Sequence, residues 1–245
     1  MNDKVYIHEY IDIIGHHRAR YMHHMTANFS PIGQEERDQL CYGVWGVVGS
    51  TGRWPEVVNI WEEDGLDGLA SSFRYELGHA SLQDPKLARW WARAAEFRSG
   101  GIDRLLLPAP WTRTITELCA DGVRGELYAH DEVHVAPGTA ADYLERVRDE
   151  GAPALGAHGW ELAGAWQTVM RHDDECFVLW AVPSWEQWAE AVKAERASGA
   201  TGAWHRRNIE LTTGFARYLL VDAPLSPLRI GRQPSRDDRT ELWDD

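Results

Sequence analysis

Apolar and polar residues alternate along residues 5–13, a pattern typical of a β-strand whose two faces meet different surroundings. The same pattern returns along residues 127–135. The matching pairs share one constant spacing: Tyr6 with Tyr128, His8 with His130, Glu9 with Asp131, Ile11 with Val133 and Ile13 with Val135. A repeat that stays in phase over a whole strand indicates that the chain contains two copies of one unit.

The two halves also agree in the order of their later elements. In the first half the pattern predicts a helix, a loop containing Pro31, a hairpin, further helices and a last strand, at residues 16–29, 28–33, 42–61, 66–97 and 103–107. The second half repeats the order with a helix at 138–148, a hairpin at 160–182, helices up to 211 and a strand at 215–221. The spacing between matched residues changes only between elements, where loops can shorten without disturbing a core.

Each half therefore has the order β-α-β-β-α-β, which is the ferredoxin-like arrangement. Such a unit forms an antiparallel sheet with helices on one face, so its bare face needs a cover. We expect an α+β fold in which the two sheets form an α/β barrel with helices outside and a cavity between the sheets. The predicted modules are residues 1–122, including a linker, and residues 123–230. Residues 231–245 form a charged tail, which we expect to be a mobile arm or an extension that clasps a partner.

With these features the chain resembles the dimeric α/β-barrel superfamily, and within it the NIPSNAP-type proteins. The resemblance covers about residues 4–224 and is carried by an opening strand that ends at Gly15, tryptophan-bearing hairpins, and an ending that runs from Trp204-x-x-x-Asn208 to Tyr218-Leu-Leu. It implies a homo-oligomer, with a dimer as the expected form. The superfamily includes cofactor-free monooxygenases, cyclases, isomerases, dehydratases, haem-degrading enzymes and chlorite dismutases, so the resemblance alone does not choose a reaction.

The charge balance narrows the range of partners. The chain has 25 basic and 38 acidic residues and a net charge of −13, which argues against nucleic acid and anionic membrane surfaces because both need a concentrated basic face. We expect no signal peptide, because charged residues come at once and no apolar segment of the required kind follows them, and no apolar run is long enough to span a bilayer. The three cysteines have no metal-binding spacing and suit a reducing cytoplasm. We expect a cytoplasmic protein with a small-molecule ligand.

The polar and aromatic row of the repeated strand is the predicted site. If the aliphatic row packs under the helices, the opposite row faces the cavity between the sheets. We assign His8 and His130 to proton transfer and Tyr6 and Tyr128 to hydrogen bonding of a carbonyl or enolate oxygen. The residues expected to bind substrate are Tyr10, Glu132, His134, Trp54 and Trp160. A bulge or a reversed assignment would instead turn Glu9 and Asp131 inward.

Three functions are compatible with this pattern. The first is a cofactor-independent isomerase, cyclase or dehydratase that acts by proton transfer on an apolar, oxygen-bearing substrate. The second is a haem enzyme of the lyase, peroxidase or dismutase type, whose candidate axial ligands are His8, His130, His134, His158 and His205. The third is a non-catalytic NIPSNAP-like ligand-binding or assembly module.

No protein-metal site is predicted from the remaining histidines. The histidines of residues 16–24 stand at spacings that do not converge on one ion, because a pair seven residues apart on a helix is separated by roughly 10.5 Å along the axis.

Overall fold

The computed structural model describes residues 1–197 and 199–240. The first module contains strands β1 Val5–Ile13, β2 Leu40–Val47, β3 Glu56–Glu63 and β4 Arg98–Pro108, and helices α1 Arg18–His23, α2 Ser30–Arg37, α3 Gly65–Leu77 and α4 Ala88–Ala95. The second contains strands β5 Leu127–Val135, β6 Glu161–Val169, β7 Glu175–Val182 and β8 Thr212–Asp222, and helices α6 Ala140–Arg146, α7 Ala152–Gly156, α8 Trp185–Arg196 and α9 Ala200–Leu211. Short helices α5 Ile115–Ala120 and α10 Pro227–Ile230 follow the two modules.

The eight strands form one closed barrel within a single chain, in the order β1-β3-β2-β8-β5-β7-β6-β4. Every neighbouring pair is antiparallel, and the modules join where β2 pairs with β8 and where β4 pairs with β6. This confirms the predicted α+β barrel of two ferredoxin-like modules. Closure of the barrel needs no strand from a second chain.

Large side chains fill the interior of the barrel. Trp45 and Trp166 are buried completely, and each indole lies over a glycine two residues earlier in its own strand. A Cβ added at Gly43 or Gly164 would come within 2.0 Å of the indole. Both modules therefore share a Gly-x-Trp sequence, in which the missing side chain of the glycine leaves room for the tryptophan indole inside the barrel. The same interior contains Tyr6, Tyr42, Tyr128 and Phe177, which are also buried completely. Side chains therefore occupy the space between the sheets in which the sequence predicts a cavity.

Substituting alanine at either glycine of this Gly-x-Trp sequence should destabilise the fold. Gly43→Ala and Gly164→Ala each force an indole or a strand to move, at a cost of about 1–3 kcal/mol in the free energy of unfolding. Gly156→Ala is the matched control, because an added Cβ there meets nothing within 4 Å. Urea unfolding of the three variants checks this, and a control as unstable as the two barrel variants would contradict it.

Helices cover the outer face of each sheet and form two further cores. In the first module a π-helical segment, His24–Phe29, joins α1 to α2, so residues 18–37 are continuously helical. The loop predicted at residues 28–33 is therefore wrong. Pro31 lies in the first turn of α2, directly after the π-helical segment, where the hydrogen-bond pattern of the helix changes.

The segment after α10 lies against the first module. The Gln233 side chain makes two hydrogen bonds with the backbone of Cys41, from Cys41 N at 3.0 Å and to Cys41 O at 2.7 Å. Arg236 binds the Glu35 carboxylate, and Thr240 N donates to Asn28 Oδ1. For residues 231–240 the mobile arm is therefore a wrong prediction, and residues 241–245 lie outside the described part of the chain.

Candidate functional site

The interior row brings the two predicted catalytic histidines together. His8 and His130 are both inaccessible to solvent, and their Nε2 atoms lie 2.8 Å apart. One ring must donate this hydrogen bond and the other accept it, so the pair is stable with both rings neutral. Phe177 stacks on both rings, and both Nδ1 atoms are buried. A substrate has no open route to these atoms, and the catalytic role of the pair stays a prediction.

The buried pair makes stability depend on pH. Burial lowers the pKa of His130 to about 4, and burial and the neighbouring His130 lower the pKa of His8. In the unfolded chain a histidine has a pKa of about 6.5, so below this pH the unfolded state takes up a proton that the buried pair does not. The folded state therefore keeps its full stability above pH 6.5 and loses stability as the pH falls toward 4. Between pH 7 and 4.5, His130→Gln should therefore lose about 2 kcal/mol less stability than the wild type.

Urea unfolding at the two pH values measures this difference. His16→Gln is the control, because His16 is exposed and should leave the loss of stability unchanged. An equal loss of stability in wild type and His130→Gln would contradict a neutral buried pair.

Above the histidines, a polar cluster lies at one end of the barrel. Glu132 accepts hydrogen bonds from the Tyr10 and Tyr218 hydroxyl groups, at 3.2 and 3.4 Å. Arg104 Nε donates to Glu175 Oε2 at 2.8 Å. Glu132, His134 and Glu175 could offer ligand atoms to a metal, all within 4.8 Å of one another. A divalent cation there would compete with the Arg104 guanidinium, which already neutralises Glu175, so this cluster fits an ion poorly.

The first module contains a cavity of about 360 Å³ between its sheet and its helices. The outer faces of β1, β3 and β4 form one wall, and the π-helical segment, α2, α3 and α4 supply the other. Its apolar lining includes five aromatic residues, Phe29, Trp61, Phe73, Trp90 and Trp91. Its polar lining includes Glu9, Arg37, Gln39, Glu63, Arg98 and Asp103. A mainly apolar wall with a few convergent polar groups is the usual form of a small-molecule site.

Glu9 is the polar group best placed for chemistry in this cavity. Its Oε2 atom accepts hydrogen bonds from Asn59 Nδ2 at 2.9 Å and from Trp61 Nε1 at 2.8 Å. No described side chain bonds the other oxygen, Oε1. Glu9 faces Asp103 across the β1–β4 pair. Burial raises the pKa of Glu9, and the charge of Asp103 raises it further.

The equivalent place in the second module is closed by an ion pair. Asp131 corresponds to Glu9 and faces Arg217, which corresponds to Asp103. Arg217 Nη2 lies 2.8 Å from Asp131 Oδ2, and Arg217 Nη1 lies 2.8 Å from Glu195 Oε1. Trp180 Nε1 also donates to Asp131, as Trp61 does to Glu9 in the first module. The two modules share one framework, but only the first presents two facing carboxyl groups.

None of the five residues predicted to bind substrate lines this cavity: Tyr10, Glu132 and His134 belong to the barrel-end cluster, and Trp160 and Trp54 lie elsewhere. Trp160 is buried in the second module, where the Arg217 guanidinium lies 5.4 Å from its ring centre. Trp54 is 61% exposed and precedes a cis proline. Both remain predictions as ligand contacts. Sequence reasoning had placed Glu9 on the helix-facing row but had not assigned it, and it had missed Asp103 as its partner.

The haem alternative can be tested against the residues of the cavity. Haem iron takes an axial histidine, cysteine, tyrosine or methionine. The residues that line the described part of the cavity include none of the first three. Of its two methionines, Met25 is packed into the core, and Met170 is exposed in the turn that follows β6. This cavity therefore does not fit haem, and haem at another histidine stays an alternative prediction.

Comparison with solved structures supports the fold. A protein from Lactobacillus acidophilus assigned as a monooxygenase aligns over 96% of this chain and 97% of its own, with a TM-score of 0.59 and 9% identity. An anthrone oxidase-like protein aligns over 90% and 92%, with a TM-score of 0.52 and 10% identity. A chlorite dismutase variant from Candidatus Nitrospira defluvii aligns over 90% and 92%, with a TM-score of 0.50 and 9% identity.

Comparisons of sequence add no closer assignment. No protein-family model matches the chain, and no curated protein sequence is significantly similar to it. The structural matches show the α/β-barrel fold alone, while the dimeric α/β-barrel superfamily, the NIPSNAP assignment and the expected homodimer stay predictions. Among the described residues no helix combines the length and apolar character needed to cross a membrane.

Proposed function

We propose that the protein is a small-molecule enzyme that binds a mainly apolar, oxygen-bearing substrate in the first-module cavity and moves protons with Glu9. The observation that carries this proposal is the facing pair of Glu9 and Asp103 on an aromatic-lined cavity. A carboxyl group whose pKa is raised above its ordinary value is a more effective general base and acid. The location differs from the interior row predicted from the sequence, but the type of reaction is the same.

The proton transfer follows from the hydrogen bonds of Glu9. Asn59 and Trp61 hold Oε2, which leaves Oε1 to take a proton from a carbon next to the substrate carbonyl. The C–H bond breaks, its electron pair moves toward the carbonyl oxygen, and an enolate forms. Arg98 lies beside the two carboxyl groups, where its positive charge can stabilise the enolate oxygen. Returning the proton at another atom completes an isomerisation, and the same first step serves cyclisation and dehydration.

Deuterium exchange tests this proposal without knowledge of the natural substrate. Aryl ketones such as 1-tetralone are apolar and carry exchangeable protons next to the carbonyl group. Incubated in D₂O with the protein, at least one ketone of a small panel should exchange these protons faster than in buffer, as measured by NMR. A panel that binds, as seen by a change in tryptophan fluorescence, but shows no accelerated exchange would contradict proton transfer.

A further inference from the structure

The first-module cavity has a second polar end, formed by Arg37, Gln39 and Glu63. The Arg37 side chain is only 6% exposed, and its Nη1 atom binds Glu76 Oε2 at 2.7 Å. Gln39 Nε2 donates to Glu63 Oε1 at 2.6 Å. Glu63 lies on β3 four residues from Asn59, the cross-strand neighbour of Glu9, so the two polar ends are roughly 13 Å apart along the strand.

Arg37 has an unused hydrogen-bonding edge at this end. Its Nε and Nη2 atoms are both buried, and no described protein group bonds them. These two atoms form the side of the guanidinium group that binds a carboxylate with two parallel hydrogen bonds. Leaving two buried charged donors without a partner is costly, which favours a ligand that satisfies both.

Arg217 shows within the same chain what this edge does. One of its terminal nitrogens binds Glu195, while Nε and Nη2 bind the two oxygens of Asp131. In the same way, one terminal nitrogen of Arg37 binds a glutamate, Glu76. Arg37 lines the cavity, and no described protein carboxylate binds its Nε and Nη2 atoms. The Arg217–Asp131 pair of the second module thus shows the geometry that we expect between Arg37 and the carboxylate of a ligand in the first module.

From this geometry we infer that the ligand of the first-module cavity is an organic acid, whose carboxylate binds the Nε–Nη2 edge of Arg37 and whose apolar body extends along the aromatic wall toward Glu9. This inference rests on the proposed function, because it names the substrate class of the same cavity. Glu63 lies at the same end of the cavity, and its buried Oε2 atom has no described partner. Burial raises the pKa of its carboxyl group, whereas the Gln39 hydrogen bond and the Arg37 charge lower it. In its protonated form, Glu63 Oε2 can donate a further hydrogen bond to the bound acid.

Matched probes test the inference by binding alone. Arylalkanoates of increasing chain length are titrated against the protein beside their primary amides, and affinity is measured by calorimetry. The best carboxylate should bind the wild type about 10- to 100-fold more tightly than its amide. Arg37→Gln should remove most of this preference while amide binding is kept, which also shows that the variant is folded.

Two further variants make the result specific. Arg37→Lys keeps the charge but not the paired donors, so it should recover only part of the preference. Arg74→Gln removes an exposed arginine of α3 and should bind like the wild type. Equal affinity for acids and amides in the wild type, or an undiminished preference in Arg37→Gln, would overturn the inference and leave the proposed proton transfer standing. Failure of every probe to bind would overturn both.

Discussion

Glu9→Gln should reduce protein-catalysed proton exchange by about 100- to 10,000-fold, because an amide cannot take the proton. The substitution preserves shape, and the amide oxygen can still accept the hydrogen bonds that Asn59 and Trp61 donate to Oε2. Ligand binding should therefore change much less than the rate. Glu36→Gln, which alters an exposed glutamate of α2, is the control and should exchange at the wild-type rate.

The pH profile separates a direct role of Glu9 from a structural one. Exchange requires ionised Glu9, so the rate should fall as the pH drops through its pKa, which burial and Asp103 hold above the ordinary glutamate value. Asp103→Asn removes the second of these causes and should move the midpoint of the profile to lower pH. A Glu9→Gln variant that is folded and exchanges at the wild-type rate would exclude Glu9 as the base.

Arg217→Met should cost about 3–5 kcal/mol in the free energy of unfolding, which is the largest stability effect we expect from a single substitution. The change leaves the Asp131 carboxylate buried with one hydrogen bond, from Trp180 Nε1, and without its positive partner. The equivalent residue in the first module is Asp103, which is exposed and carries the same sign of charge as its neighbour. Asp103→Asn should change stability by no more than about 0.5 kcal/mol.

This pair of variants compares the two modules directly. Urea unfolding under the same conditions gives both values, and an isosteric Asp131→Asn change combined with Arg217→Met should recover part of the loss, because the unpaired charge is then gone. Similar, small effects at both positions would show that the ion pair does not hold the second module closed. In that case the difference between the modules would not mark the first as the site of function.

The fold could be predicted because the sequence contains two copies of the same structural unit. The order of the elements follows from the matched rows of β1 and β5 and from the recurring tryptophans. The ends of the elements follow from the points at which the spacing between matched residues changes. Two local details could not be read in this way. Pro31 is a frequent loop residue, yet here it sits in the first turn of α2. The filling of the barrel depends on how Trp45 and Trp166 cross its interior, which no strand pattern specifies.

The sequence also contains a sign of the candidate site, in a position where the two halves differ. Asp103 and Arg217 have the same spacing as Trp90 and Trp204 and as Leu106 and Leu220. Comparing the halves for differences would have shown two acids in one module where the other has an acid and a base. Residues that match across the halves mainly describe the core, whereas this mismatch describes the cavity. The role of Arg37 could not be predicted in this way, because only the structure shows that its Nε and Nη2 atoms are buried without a partner among the described residues.

A crystal structure with the tightest-binding arylalkanoate would show where the ligand binds. We expect density in the first-module cavity, with the carboxylate on the Nε–Nη2 edge of Arg37 and the aromatic body against Trp61 and Trp90 on the way to Glu9. Density at the barrel end beside Tyr10 and Glu132, with the first-module cavity unchanged, would contradict it and return attention to the interior row.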